Sequence, residues 1–579
     1  MCGGERDVDA RVRLSTEPQA AGWTRSTARV MAALMLATVW LIGPGTTRGQ
    51  ADAERTLRIA IPKDYANLSV YTAGASDADP FVGLIYDTLF STPYVDTPQP
   101  LLATSAEQTR RQTWVVKLRE GVTWHDGEPF TANDVVFTFE LYRDGPPNRW
   151  THHASQTPDM RRVQALDDLT VQITCAQPCP TLAEITLADL PILPEHVWSK
   201  VEDPATYDGS AIGTGPYRVL RRVPGERYEL SANKRYFAGQ PVADKLILSI
   251  IPEPSSAFLA LRSGQVDAVS SPIPPQLVES FDANRDVDVV KATPFSDAEL
   301  VFNMGRAPFD SAPLRRAVML AIDKDALLET VLLGRGISGS EGWPHPRSPW
   351  TGENPDMPHD PVEARRLIAR AKLAGARFEI LVPQQDPVVV RATELVAADL
   401  RAVGLKPSIR AMDQPTISEL TMKGEFDAYV WAATAHALAD PTQLIQSFNA
   451  ASYMGTYENP NVKELLAAAQ SVPTAKEFRS LLSRTHKLIS ADPPVVPFFY
   501  PEQRYGIRSA SFDGWKGSPG LGVVHKFSLV SAAGSDASIA TGAPSSSGRS
   551  PLAVLVIAGL AGLLAAWLIR RRRAARTKA

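Results

Sequence analysis

Cysteine is scarce in this chain, with three residues in 579. That excludes a small fold stapled by disulfides. Histidine is scarce as well. Of nine, only His152 and His153 adjoin, and neighbours on a strand or helix point in different directions, so no metal centre is indicated. A His-Glu-x-x-His helix, a Gly-x-Ser-x-Gly elbow and a Gly-x-x-x-x-Gly-Lys phosphate loop are all missing, which argues against the common hydrolases and nucleotide enzymes. Positive charge is short in the middle of the chain. Residues 54–530 hold 47 Lys and Arg against 57 Asp and Glu, and an acidic body does not suit nucleic acid as a partner. What is present is an ordinary composition, 44% hydrophobic and 21% charged. A chain this long divides into two to four lobes, at roughly 100 to 200 residues per domain.

The basic residues collect at the two ends. Arg11, Arg13, Arg25 and Arg29 precede an uncharged stretch from Val30 to Ile42, followed by Pro44, Gly45 and the small-x-small triplet Ala51-Asp52-Ala53. This is the order of a secretory signal peptide, over 1–53. At the other end a Gly-, Ser- and Ala-rich linker, 531–550, leads into an uncharged run from Pro551 to Ile569. Nineteen residues at 1.5 Å each span roughly 28 Å, about one hydrocarbon thickness. The arginines at 570–573 follow at once. Positive residues stay inside, so the sequence predicts a single-pass anchor with a short cytoplasmic tail, 570–579, and the body outside the cytoplasm. Export leaves Cys175 and Cys179, which are read either as a local disulfide closing a small turn or as two free thiols.

Between leader and linker the pattern is mixed α and β. Trp114, Val116 and Leu118 alternate with Val115 and Lys117, which predicts a strand, and Asp126-Gly127 marks a turn. Thr131 with Asp134 at the third position predicts a capped helix start. Ser311-Ala-Pro313 opens a second helix, and a third starts at Asp323 and ends at Gly334.

The block from Trp114 to Val136, containing Gly-Val-Thr-Trp-His-Asp-Gly-Glu-Pro-Phe-Thr-Ala-Asn-Asp-Val, resembles the signature of the family 5 extracellular solute-binding proteins of ABC importers, the dipeptide- and oligopeptide-binding group. Four further blocks agree in order: Gly213-Thr-Gly-Pro-Tyr217, Asn233 to Tyr236, Ala260 to Asp267, and Asn303 with Pro308-Phe309 and Leu314 to Asp323. The resemblance covers about Leu57 to Ser528. It implies an α/β type II periplasmic-binding-protein fold with two lobes closing on a ligand and an extra lobe beside them. The leading lobe is expected at 54–90, 211–297 and 495–530, the extra lobe at 91–210 and the opposing lobe at 298–494.

The resemblance also implies a monomeric receptor, not an enzyme, without cofactor or metal. It would pass an oligopeptide or another small polar solute to an ABC permease and its ATPases. A sensor of the same fold, or an exported hydrolase on this scaffold, are the alternatives. For the ligand site, Tyr71, Gly74 and Ser76 match a first-lobe loop that approaches ligand, and Trp431 matches a ring lining the cleft. Peptide binders carry Trp-x-x-Asp in the opposing lobe, where the Asp meets the peptide's α-amino group. Here Thr434 stands in its place, and Asp440, in Asp440-Pro441, either substitutes for it or caps a helix.

Overall fold

The computed structural model describes residues 54–531, apart from 66–67, 72–78, 92–97, 147–149, 151–158, 293–295, 341–345, 347–357, 434–456, 470, 473 and 519–520. The leader and the 551–569 run therefore lie outside the described residues. Among the described residues no helix is long and apolar enough to cross a membrane.

The chain opens with β1 (Thr56–Ile61), whose Leu57, Ile59 and Ile61 are all buried. It then runs into a separate antiparallel sheet built from β2 (Ala103–Arg110), β3 (Thr113–Leu118), β4 (Arg162–Asp167) and β5 (Thr170–Thr174), in the order β2-β3-β5-β4. The expected alternation holds in β3, where Trp114, Val116 and Leu118 face inward. Helix α1 (Ala132–Asp144) packs on this sheet. It begins with the expected capping box: the Thr131 N–H donates to Asp134 at 2.9 Å, and the Thr131 hydroxyl accepts from the Asn133 N–H. Asp134 does more than cap. It also accepts from the Glu195 N–H at 2.9 Å, which ties the helix to the next turn.

From residue 217 the chain returns to β1. Strands β6 (Tyr217–Val223), β7 (Arg227–Ala232), β8 (Lys245–Ile250), β9 (Ala268–Val269) and β10 (Asp288–Ala292) join it in one sheet. It then crosses to a second sheet made of β11 (Asp297–Phe302), β12 (Gly336–Ser338), β13 (Arg377–Pro383), β14 (Lys406–Met412), β15 (Ala428–Ala433) and β16 (Val495–Pro501). One more crossing brings it back through β17 (Gln503–Ile507). The first sheet has seven strands, in the order β10-β17-β9-β1-β8-β7-β6, and the second six, in the order β12-β16-β11-β15-β13-β14. Only β10 to β11 and β16 to β17 carry the chain between them. Because β16 pairs with β11, the return falls at Glu502 rather than at the expected 495, and Asp297 already belongs to the second sheet.

The cores divide in the same way. The antiparallel insert shares one continuous core with the seven-stranded sheet, from Leu57 through Trp124, Ile173 and Leu248 to Leu529. The six-stranded sheet has a core of its own, around Leu300, Phe302, Val318, Ile380 and Phe498, which Ile185 of the insert joins, and a smaller cluster around Phe258, Leu261 and Phe281 packs beside the first sheet. Full burial of each such side chain is worth about 1.5 to 3 kcal/mol, so each core is internally strong, and the chain links between them are two short crossings.

The helices at 312 and 324 are present, with two refinements. Ser311 occupies the cap position of Ala312–Ala321, but its side chain makes no capping bond there; Pro313 sits in the first turn. The helix Lys324–Leu332 is capped by Asp323 accepting from the Ala326 N–H, and it ends two residues before Gly334, with Leu333 itself left-handed at φ 54°. Gly334-Arg-Gly-Ile-Ser-Gly339 has the spacing of a dinucleotide fingerprint. It runs from a helix into β12, the reverse of the strand-to-helix context that places a pyrophosphate on a helix N-terminus.

Candidate functional site

Trp431 lies on β15, two residues before its end at Ala433, and retains 38% of its surface exposed. Its ring stands at right angles to Tyr429 with centroids 6.3 Å apart. An exposed indole at a strand end beside the crossings is a surface that a ligand can cover. Gly74, Ser76, Thr434 and Asp440 lie outside the described residues.

Tyr71 is placed elsewhere. It is 4% exposed, stacked on Tyr142 at 5.9 Å and tilted against Trp198 at 5.8 Å, and its hydroxyl donates to the Pro146 carbonyl. Trp198 continues the cluster to Tyr207 at 4.6 Å. The ring and hydroxyl are thus both used inside the protein, so the structure assigns Tyr71 to packing between the insert and its neighbours. In sequence the tyrosine leads into the small residues Thr72 to Ser76, although Leu68 and Val70 before it are buried with it.

Cys175 and Cys179 are bonded, with Cα atoms 6.4 Å apart. The linkage closes the turn after β5. The Cys175 N–H donates to Gln112 O at 2.8 Å and the Trp114 indole donates to Cys179 O at 3.0 Å, which fastens the turn to β3. This is a structural element of the insert, remote in sequence from the crossings.

Two acids that the sequence reading did not single out stand on β11. Asp297 and Glu299 are two residues apart, hence on the same face of the strand, and both are buried. Glu299 is directly opposite Trp431 in the β11–β15 register, and Asp297 is opposite Ala433. Directly opposed residues of antiparallel strands have Cβ atoms roughly 4.5 to 5.5 Å apart, so the acid and the indole are immediate neighbours. Among the described residues no hydrogen-bond donor reaches either carboxyl oxygen of Glu299. Burial, and then the adjacent Asp297, push its pKa well above the ordinary carboxylate range. Tyr500 on β16 lies close enough to be affected by both acids. Its phenol is pushed up, chiefly by burial and then by Asp297, and its hydroxyl is 2.8 Å from Ser340 Oγ. The available signal was two acids alternating with apolar residues in a run ending Leu-Val-Phe, where a buried strand has little use for charge.

The crossings beside this pair are also linked by side chains. Gln503 donates to Ser296 Oγ at 3.4 Å, from one crossing to the other, and Glu502 pairs with Arg504 at 2.6 Å and with Lys291 at 3.5 Å. Among the described residues no group of three or more His, Cys, Asp or Glu is arranged to hold a metal ion.

Residues 97–455 match the family model for bacterial extracellular solute-binding proteins, family 5 Middle. The chain is 26% identical over 432 residues to heme-binding protein A of Haemophilus influenzae, covering 69% of this chain and 78% of that protein. It is 27% identical over 426 residues to a putative ABC transporter peptide-binding protein of Brucella ovis, covering 70% and 79%. Among solved structures it resembles the ABC transporter-associated periplasmic binding protein DppA from Helicobacter pylori in complex with the peptide STSA. The TM-score is 0.70 at 23% identity, over 82% of this chain and 98% of that one.

Proposed function

The chain belongs to the bacterial extracellular solute-binding proteins of family 5, and we propose that it is the membrane-tethered receptor of an ABC importer, which closes two lobes on a peptide or similar small polar solute and hands it to the permease. It is a binding protein and not an enzyme. The observation that carries the reading is the division of the body into two sheets with separate cores, joined by two short crossings, with an exposed indole next to them. Two internally packed bodies on two short strands move by hinge rotation, because deforming either core would cost far more than turning a few backbone dihedrals. A ligand touching both lobes binds the closed arrangement more tightly than the open one, and that difference is what drives closure. The relative named for peptides supports the peptide reading, while the one named for heme marks a different ligand on related sequence.

The tether rests on the uncharged Pro551 to Ile569 run and the arginines after it. Truncation after Val530 should release a folded body into the soluble extracytoplasmic fraction. A truncated protein that still sediments with membranes contradicts the single anchor. The receptor role is tested by titrating the protein with short peptides during small-angle scattering. A bound peptide should contract the particle and raise its melting temperature, by mass action on the native state. Binding without contraction contradicts closure.

A further inference from the structure

We infer that the turn at 181–189 of the insert is a latch onto the opposing lobe, an attachment that restrains opening in addition to the two crossings. This rests on the two-lobed closing reading above and specifies what limits the motion. The turn is helical, with the Ile185 N–H donating to Thr181 O at 3.0 Å and the Asp189 N–H to Ile185 O at 3.0 Å. Its side chains divide between the lobes. Leu182 and Leu187 are fully buried in the core that the insert shares with the seven-stranded sheet. Ile185, between them, belongs to the core of the six-stranded sheet, as do Phe478 and Leu482 of the helix Ala475–Ala491. A charged group reaches the same place. Burial raises the pKa of the adjacent Glu184, while its own backbone N–H, and then the Arg479 guanidinium of that same helix, oppose the rise. An apolar contact and an attraction of opposite charges thus coincide on neighbouring residues.

Both ends of the turn are fixed on the insert's side. Before it, the Cys175–Cys179 linkage and the Trp114 indole on Cys179 O tie the chain to β3. After it, the Ile192 N–H donates to Asp87 O at 2.9 Å and the Leu193 N–H to Thr138 Oγ1 at 2.9 Å. A tip held at both ends cannot follow the opposing lobe as that lobe turns away. Rotation must therefore withdraw Ile185 from the second core and part Glu184 from Arg479. Exposing an isoleucine again shifts the balance of lobe arrangements by roughly tenfold toward the approached one.

The experiment measures the distance between two spin labels in the full chain carrying Cys2→Ser, one at Leu220→Cys on β6 and one at Met422→Cys in the helix Gln414–Lys423, which packs on β13. Both side chains are exposed, and both belong to parts of their lobes away from the crossing strands, where opening moves them far. Without ligand, Ile185→Ser should shift the distances to longer values and broaden them. Glu184→Arg and Arg479→Glu should each do so to a smaller degree, and the two together should restore the starting distribution, which a change of core packing alone would not do. If Ile185→Ser lowers the melting temperature and leaves the distances unchanged, Ile185 is ordinary core and the latch is overturned. If the exchanged pair lies no closer to the wild type than its single members, the latch is likewise overturned. These measurements need no ligand, so the peptide reading is tested apart from them. If trialanine leaves the wild-type distances unchanged while Ile185→Ser lengthens them, closure on a peptide falls and the latch stands.

Discussion

Two buried acid sites in this protein are treated in opposite ways. Asp87, beneath the seven-stranded sheet, is fully buried and surrounded by donors: Thr214 at 2.8 Å, Tyr236 at 3.0 Å and the Lys526 ammonium. Each of those partners lies more than a hundred residues from Asp87 in sequence, so one carboxylate fastens the insert boundary, the Gly213-Thr-Gly-Pro-Tyr217 block and the C-terminal end of the body. Asp297 and Glu299 are as deeply buried, but among the described residues no donor reaches the Glu299 carboxyl, which faces another acid. The first arrangement holds the fold together. The second costs stability, and costs of that kind persist at sites kept for binding.

The contrast makes the two sites respond to mutation with opposite sign. Asp87→Ala takes away the carboxylate partner of a buried ammonium, which keeps only the Tyr86 carbonyl, and of a hydroxyl and a phenol, and breaking a buried pair in this way costs about 3 to 5 kcal/mol. A thermal melt should show the midpoint lowered by about 10 °C, at roughly 2 to 4 °C per kcal/mol. A melt unchanged by Asp87→Ala would erase the distinction between the two sites.

Glu299→Gln should instead raise the melting temperature at pH 8 by a few degrees. Its pKa is raised in the folded state, so the folded protein binds more protons than the unfolded chain above the ordinary carboxylate range. Stability is therefore lost as pH rises from that range toward the folded pKa. The gain from glutamine should be largest at pH 8 and vanish near pH 4, where Glu299 is protonated in both states. Melts at the two pH values check the sign. A loss of stability at pH 8 would mean that the ionised carboxylate is paired after all.

A smaller effect sharpens the comparison with an acid that is neither extreme. Asp134 is buried, and burial raises its pKa, yet it accepts from two backbone N–H groups. Thr131→Ala removes the other half of that capping box and should cost about 1 kcal/mol, read as a modest drop in denaturation midpoint with unchanged slope.

The sequence made some of this legible and not the rest, for physical reasons. Strand β3, the turn at Gly127 and the capping box of α1 depend on residues within a few positions of one another, and local patterning reports such things directly. The lobed fold was legible through family blocks spread over the body. The return crossing was placed too early because β16 is apolar throughout, and nothing in Val-Val-Pro-Phe-Phe-Tyr-Pro says which of two sheets it will join. Trp431 was singled out by its match to a motif, and the structure gives its place on β15 and its exposure. Tyr71 was misread because its partners, Tyr142 and Trp198, are distant in sequence. Asp297 and Glu299 were missed because a charge is informative only once its burial is known, and burial on β11 is set by β15 and β16.

The central claim is that the protein captures a solute by closing on it and releases it unchanged. Its most direct test is mass spectrometry of the small molecules freed by denaturing the purified full chain, before and after prolonged incubation at 37 °C. The account predicts one dominant small solute, close to stoichiometric with protein and identical in mass at both times. A cleaved product that accumulates in proportion to protein concentration would contradict it.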